Sequence, residues 1–152
     1  MEIERKFLVK GNSWRKSVHG KKFFQGYLSS NKECTVRVRA TDDKGYLTVK
    51  GIAKGAVRKE YEYEIPLIEA RAMLDELCEK PLIEKNRYKI EYHGFTWEVD
   101  EFYGENQGLI VAEIELDTET RKFAKPDWIG NEVTGDPKYF NSNLIHHPYY
   151  QW

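Results

Sequence analysis

The chain has 152 residues, with 24 basic and 25 acidic side chains and a formal net charge of −1 at pH 7. This length predicts a single domain over residues 1–152, and the near-zero charge excludes a general attraction to nucleic acid or an anionic membrane. Charged residues make up 32% of the chain, which exceeds the usual quarter, so their placement needs an explanation. Any anion site must be local.

The chain start and the cysteines predict a cytoplasmic protein. The first ten residues, MEIERKFLVK, carry charges where a secretory signal needs an apolar stretch. No run approaches the roughly 18 apolar residues of a membrane span. Cys34 and Cys78 lack the spacing of a metal site, so both are expected to be reduced.

Short segments of alternating polar and apolar residues, separated by turn residues, dominate the chain and predict antiparallel strands. Eight strands are predicted, near 2–9, 23–28, 35–40, 46–50, 58–65, 85–92, 96–102 and 109–116. An amphipathic helix is predicted between Pro66 and Pro81. A second helix is expected after Asp117 or Thr118, ending before Pro126, and a short third over 137–144.

Alternate side chains of a strand share a face, so each segment sorts into two rows. One row is charged: Glu2, Glu4, Lys6, Arg37, Arg39, Lys50, Arg58, Glu60, Glu62, Glu64, Lys85, Arg87, Lys89, Glu98, Asp100, Glu113 and Glu115. The other row is mainly apolar and aromatic. An ordinary sheet with its charged row in water is one explanation. A row of ionised groups repeated around the sheet instead favours an enclosed polar lumen.

The pattern therefore predicts an α+β fold that is mainly β: a closed eight-stranded antiparallel barrel with a few helices packed outside. A barrel of about eight strands has room for side chains and one small ligand. Charges enclosed in it are unfavourable unless they are paired, bound to metal or bound to a ligand. The lining thus requires both a cation and an anion.

The lining residues suit a metal ion and a phosphate chain. Acidic pairs at i and i+2 converge from three strands, and such oxygen clusters suit Mg²⁺ or Mn²⁺. Those pairs are Glu2 with Glu4, Glu60 with Glu62, and Glu113 with Glu115. The arginines and lysines supply donors of the kind that phosphate oxygens require. Because no Gly-rich phosphate loop is present, side chains must hold the phosphates.

The ordered motifs resemble the CYTH domain family, whose members are also called triphosphate tunnel metalloenzymes. The opening Glu2-x-Glu4-x-Lys6 is that family's signature. It is followed in family order by Gln25-Gly26-Tyr27, Val36-Arg37-Val38-Arg39, Lys50, Arg58-x-Glu60-x-Glu62, Glu84-Lys85-x-Arg87-Tyr88, Glu98-x-Asp100, Glu113-x-Glu115 and Lys138-Tyr139-x-Asn141. The resemblance spans essentially the whole chain and is strongest for the small bacterial members that resemble inorganic triphosphatases.

The resemblance implies a metal-dependent hydrolysis of inorganic triphosphate to pyrophosphate and orthophosphate. The implied ligands of Mg²⁺ or Mn²⁺ are Glu2, Glu4, Glu60, Glu62, Asp100, Glu113 and Glu115. The implied phosphate clamp is Lys6, Arg37, Arg39, Arg58, Lys85 and Arg87. Lys50 and Tyr27 resemble a pair that handles protons, and a lysine among cations is expected to have a depressed pKa.

Other functions remain open at this point. The same lumen is compatible with an adenylate cyclase that forms cyclic AMP from ATP, or with a non-catalytic module that binds polyphosphate or a nucleotide. The expected partner is a small triphosphate, with inorganic triphosphate favoured over ATP or another nucleoside triphosphate. The aromatic tail after Ile145 is expected to pack on the barrel exterior or on a partner chain, which leaves a homodimer open.

Overall fold

A computed structural model describes residues 1–16 and 18–152, which form ten β-strands and two α-helices. The strands are β1 (Glu2–Val9), β2 (Lys21–Ser29), β3 (Cys34–Ala40), β4 (Gly45–Gly51), β5 (Val57–Arg58), β6 (Glu60–Ile65), β7 (Ile83–Tyr92), β8 (Phe95–Phe102), β9 (Ile110–Glu115) and β10 (Ile129–Glu132). The helices are α1 (Leu67–Glu76) and α2 (Asn141–Leu144). Short 3₁₀ helices cover Ser13–Arg15, Gly104–Asn106, Pro137–Tyr139 and Tyr149–Gln151. None of the helices described is long and apolar enough to cross a membrane.

The strands form one antiparallel sheet in the order β10-β1-β9-β8-β7-β2-β3-β4-β6. β9 covers one edge of β1, whereas β5 and β10 divide the other edge between them. The β5 pairing joins Glu2 to Arg58 and Ile3 to Val57. The predicted mainly β, antiparallel fold is confirmed. The closed eight-stranded barrel is not, because the described residues form ten strands and the ladder ends at β6 and β10.

Two strands differ from the predicted set. The strand expected over 58–65 is divided at Lys59, whose carbonyl accepts a hydrogen bond from the Gly51 amide at 3.0 Å while Arg58 pairs with β1. Strand β10 was not predicted. Its sequence, Ile-Gly-Asn-Glu, contains two residue types that are depleted in strands, so tertiary pairing with β1 decides its conformation.

The apolar row of the strands packs on the face opposite the charged row. On β1 and β8 it forms a core around Phe7, Trp97 and Val99, all with no exposed surface. Trp14 and Trp128 cover this core from outside the sheet. Burial of large aromatic and aliphatic side chains is the main stabilising contribution. The fold is therefore stabilised outside the space that the charged row surrounds.

Helix α1 confirms the helix predicted between Pro66 and Pro81. It packs Ala70 and Leu74 against Val38 of β3. The contact with β4 is so close that a Cβ atom at Gly45 would lie 2.6 Å from the Cβ of Ala70. Glycine at this position thus allows the helix to approach the sheet.

The other two helix predictions are corrected by the structure. No helix forms between Asp117 and Pro126; the Arg121 amide donates to the Thr118 carbonyl in a turn, and the chain then runs without regular structure to Pro126. The Phe123 ring packs edge-on against Trp97, with centroids 5.6 Å apart, which holds this segment against the core. The helix predicted over 137–144 is interrupted at Phe140, whose ψ of 130° is not helical.

The aromatic tail packs on its own chain. The Trp152 ring contacts Tyr139 and Tyr149, with centroid distances of 5.2 and 4.9 Å. Trp152 Nε1 also donates to the His147 carbonyl at 3.2 Å. Of the two positions predicted for the tail, the structure therefore shows the one on the exterior of the protein's own sheet.

Candidate active site

The charged row surrounds a cavity of about 680 Å³, here named the charged cavity. Every predicted site residue except Asp100 lies on its wall. These residues are Glu2, Glu4, Lys6, Tyr27, Arg37, Arg39, Lys50, Arg58, Glu60, Glu62, Lys85, Arg87, Glu113 and Glu115. A cavity of this volume is within the usual range for small-molecule sites.

Sheet order separates the acidic and basic sides of the cavity. Carboxylates come from β1, β6 and β9, and β5 brings the chain segment before β6 next to β1. Cations come from β3 and β7, which flank β2. Lys6, Lys50 and Arg58 cross this division, because they lie opposite Glu113, Glu60 and Glu2 in the strand registers. The cavity can therefore hold a cation on one side and an anion on the other.

The acidic side contains two pairs of carboxyl groups that shift each other's pKa, Glu4 with Glu113 and Glu2 with Glu60. Burial, together with repulsion from Glu113, raises the pKa of Glu4 well above its usual range. Burial alone would raise the pKa of Glu113 too, but Lys6 and a hydrogen bond with Glu4 hold it well below that range. Burial and a hydrogen bond with Glu60 likewise raise the pKa of Glu2. In each pair, therefore, one carboxyl group has a raised pKa and its partner has a lowered one.

Lys50 lies between the carboxylates rather than among cations. Its Nζ is 3.1 Å from Glu2 Oε1 and 3.2 Å from Glu60 Oε2. Burial and Arg37 act to lower the pKa of Lys50, but the nearby glutamates outweigh them and raise it. The expected depression of the Lys50 pKa is therefore wrong. Tyr27 is buried on the cavity wall, but no described hydrogen bond joins it to Lys50.

The arginines of β3 present donors to the cavity. Arg37 Nε is buried and has no hydrogen-bond partner among the described residues, whereas its Nη2 donates to Thr48 at 3.1 Å. Arg39 Nε donates to Gln25 Oε1 at 2.7 Å. Burial, followed by repulsion from Arg37 and Arg87, lowers the pKa of Arg39 to about 9. An anion in the cavity would relieve both the missing hydrogen bond and the repulsion.

Asp100 lies behind the basic wall of the cavity and has no exposed surface. Its carboxylate accepts a bond from Lys85 at 2.8 Å and two from Arg87 at 2.8 and 2.9 Å. The structure thus separates Asp100 from the other predicted metal ligands, because its oxygens are occupied by two cations. Burial lowers the pKa of Lys85 to about 7, against the opposing effect of Asp100.

Sequence reasoning gave no site role to three uncharged residues that bond residues of the cavity wall, although Gln25 and Asn141 belong to the motifs quoted for the CYTH family. Gln25 has no exposed surface and bonds Arg39, and Thr48 donates to Glu62 at 2.9 Å. Both could have been found from the alternation of faces along a strand, because Gln25 lies two residues before Tyr27 and Thr48 lies two residues before Lys50. Asn141 is in a helix outside the sheet, so no strand periodicity points to it.

The donor set of the acidic side fits a hard divalent cation. Among residues 1–16 and 18–152, no three His, Cys, Asp or Glu side chains form a ready metal cage. Mg²⁺ is nevertheless commonly bound by one or two carboxylates, with water and substrate phosphates as further ligands. The raised pKa values of Glu4 beside Glu113 and of Glu2 beside Glu60 mark two places where such an ion would relieve the crowding of carboxyl groups.

An antiparallel sheet around a cavity with opposed charges defines the class of this protein. The CYTH domain model matches residues 1–149, and the chain belongs to the CYTH domain family. An inorganic triphosphatase of Acetivibrio thermocellus is 60% identical over 148 residues, which are 97% of this chain and 95% of that protein. An inorganic triphosphatase of Nitrosomonas europaea is 34% identical over 147 residues, or 94% and 95% of the two chains.

The fold is also similar to a solved structure. The crystal structure of the inorganic triphosphatase NE1496 superposes with a TM-score of 0.68 at 31% sequence identity. The superposition covers 95% of this chain and 94% of the other.

Proposed function

We propose that this protein hydrolyses inorganic triphosphate to pyrophosphate and orthophosphate, with Mg²⁺ or Mn²⁺ as cofactor. The observation that carries the proposal is the charged cavity, where cations of β3 and β7 and paired carboxyl groups of β1, β6 and β9 line one space. The similarity to two proteins named inorganic triphosphatase supports the same activity. We also propose that residues 1–152 form one CYTH-like domain that works in the cytoplasm.

The basic side would bind the triphosphate. The proposed clamp consists of Lys6, Arg37, Arg39, Arg58, Lys85 and Arg87. Arg37 lies on the cavity wall, and its buried Nε has no hydrogen-bond partner among the described residues. Charge-assisted hydrogen bonds from arginine are strong and directional, so the clamp would orient the chain as well as bind it. The short β5 pairing with β1 supports closure of the sheet into a tunnel around the substrate.

The acidic side would hold the metal. The proposed ligands are Glu2, Glu4, Glu60, Glu62, Glu113 and Glu115, some of them acting through water. When bound, the ion supplies positive charge to the phosphate oxygens, where charge develops in the transition state. Asp100 is given a different role, since it holds Lys85 and Arg87 in place.

The reaction would be an in-line displacement at a terminal phosphorus. The oxygen of a water molecule forms a bond to phosphorus as the bond to the bridging oxygen breaks, and pyrophosphate leaves. Lys50, which Glu2 and Glu60 hold as an ammonium, is placed to orient the water or a phosphate oxygen. A carboxylate beside Lys50 would accept the proton of the water. Tyr27 would complete the cavity wall next to Arg37, its partner across the strands.

Product analysis tests this function. The purified protein is incubated with inorganic triphosphate, with Mg²⁺, with Mn²⁺ or with a chelator, and all phosphate products are resolved. Metal-dependent release of orthophosphate and pyrophosphate in equal amounts is expected. A parallel incubation with ATP separates the alternatives. Cyclic AMP would identify a cyclase, and metal-dependent binding without turnover would identify a binding module.

A further inference from the structure

Asn141, the first residue of α2, lies on the wall of the charged cavity. Its Oδ1 accepts hydrogen bonds from Lys85 Nζ at 3.0 Å and from Gln25 Nε2 at 3.1 Å. Gln25 Oε1 in turn accepts a bond from Arg39 Nε at 2.7 Å. Asn141 therefore connects cations of β7 and β3, which are separated in the sheet by β2.

The chemistry of the end groups sets the orientation of both amides in this chain of hydrogen bonds. Lysine and arginine side chains donate and cannot accept. An oxygen of Asn141 must therefore face Lys85, and an oxygen of Gln25 must face Arg39. This leaves the Gln25 amide nitrogen to donate to Asn141, which is the contact observed. One orientation of each amide satisfies all three bonds.

The two residues before Asn141 also contact proposed clamp residues. The Tyr139 carbonyl accepts a hydrogen bond from Lys6 Nζ at 3.2 Å. The guanidinium of Arg58 lies 6.0 Å from the centre of the Phe140 ring. Three consecutive residues outside the sheet thus reach cations of β1, β5 and β7. The segment therefore contacts cations from three different strands of the cavity wall.

We propose that Asn141 is a positioning residue, which orients Lys85 and, through Gln25, Arg39 toward the bound triphosphate; the inference rests on the proposed function. Long cationic side chains lose considerable rotamer freedom when they bind a ligand, and advance ordering reduces that loss. The neutral amide of Asn141 orders the Lys85 side chain without neutralising its positive charge, which remains available to a phosphate oxygen. Asp100, in contrast, holds Lys85 by an ion pair.

Replacement of Asn141 tests the proposal by separating binding from turnover. Asn141→Ala is expected to raise the KM for inorganic triphosphate about tenfold to a hundredfold, the usual effect of losing hydrogen bonds to charged groups, while kcat changes less than about threefold. Asn143→Ala is the matched control. Asn143 is in the same helix and bonds the Pro137 carbonyl at 2.7 Å, but it does not line the cavity.

A double-mutant cycle tests the connection to Arg39. Gln25→Ala and Asn141→Ala remove adjacent links of one chain of hydrogen bonds. The effect of the double variant on KM is therefore expected to be smaller than the product of the two single effects. Independent, multiplicative effects would overturn the proposed path through Gln25.

Calorimetric binding of inorganic triphosphate, measured without turnover, distinguishes failure of this inference from failure of the proposed function. If the wild type binds triphosphate but releases no orthophosphate, the proposed function fails, and the binding constants still test Asn141. Equal binding by wild type and Asn141→Ala, or equal losses in Asn143→Ala, would overturn the positioning role. Absence of binding by the wild type would overturn both proposals. If Asn141→Ala unfolds, Asn141→Ser provides the same comparison.

Discussion

Replacing a buried carboxyl group by an amide removes a titrating group but keeps its size and shape. Glu4 is a suitable position for this change, because burial and Glu113 raise its pKa. Since the folded pKa lies above the unfolded one, the proton on Glu4 stabilises the fold at low pH. That contribution is lost as pH rises through the folded pKa.

Glu4→Gln should therefore retain in metal-free protein the stability that the wild type loses as pH rises above about 4.5, the usual glutamate value. Thermal unfolding from about pH 5 to 8 checks this expectation. The variant should also lose metal-dependent turnover. Glu64→Gln is the control, because Glu64 is exposed and outside the cavity. Parallel pH curves for wild type and Glu4→Gln would contradict the raised pKa of Glu4.

Asp100→Asn should act mainly on stability. The substitution leaves Lys85 and Arg87 buried without their shared counter-ion, which is expected to lower the free energy of unfolding by about 3 kcal/mol or more. Urea denaturation measures the change. Glu98→Gln removes a longer, partly exposed contact with Arg87 at 3.4 Å and should cost less than about 1 kcal/mol. A stable Asp100→Asn protein with weakened metal binding would instead make Asp100 a metal ligand.

At the scale of residues, strand periodicity predicts which charges share a face but not what each one contacts. Lys50 was expected among cations, yet the register of β4 with β6 places it opposite Glu60. Asp100 follows the charged row in sequence but is sealed behind Lys85. Such outcomes depend on neighbouring strands and on rotamers, which one strand's sequence does not specify.

The docking of α1 on β4 depends on a glycine. Gly45→Ala would place a Cβ 2.6 Å from the Cβ of Ala70 and 3.1 Å from the Ile65 carbonyl oxygen. Overpacking of this kind typically destabilises by about 1 to 3 kcal/mol, measurable by urea denaturation. Gly51→Ala, at the other end of the same strand, has its nearest contact at 3.7 Å and should be nearly neutral. Equal effects of the two substitutions would contradict close packing at Gly45.

At the scale of elements, local sequence predicts structure where its pattern agrees with the tertiary contacts. Helix α1 combines an apolar face with prolines at both ends, and it forms as predicted. The segment after Asp117 has acceptable helix formers, but packing of Phe123 against the Trp97 core takes precedence. The sequence of β10 carries no local pattern that is typical of a strand, and the strand forms because it pairs with β1.

The opposed charges of the whole cavity predict that substrate and metal stabilise the protein together. Inorganic triphosphate with Mg²⁺ should raise the melting temperature more than the sum of the shifts from either alone. A ligand at a hundred times its Kd contributes about 2.7 kcal/mol. A catalytically impaired variant such as Glu4→Gln should lose this synergy, and orthophosphate should not reproduce it. Additive shifts would show that the two ligands bind independently.

At the scale of the molecule, the alternation of charged and apolar residues predicted an antiparallel fold with a polar interior. It did not predict how the strands at the two ends of the sheet lie relative to each other. The edge of β1 that β9 does not cover is divided between β5, which has two residues, and β10. A two-residue strand carries no periodicity. The relation between β6 and β1 is thus set by tertiary contacts.

The apolar cores and the charged cavity occupy opposite faces of the same strands. On β8, Val99 belongs to a core while Glu98, the residue before it, lines the cavity. Odd and even positions of a strand can therefore be varied for different purposes. A library that changes every second residue could explore new ligands while preserving the packing that keeps the protein folded, which makes this small chain a suitable starting point for engineered anion receptors.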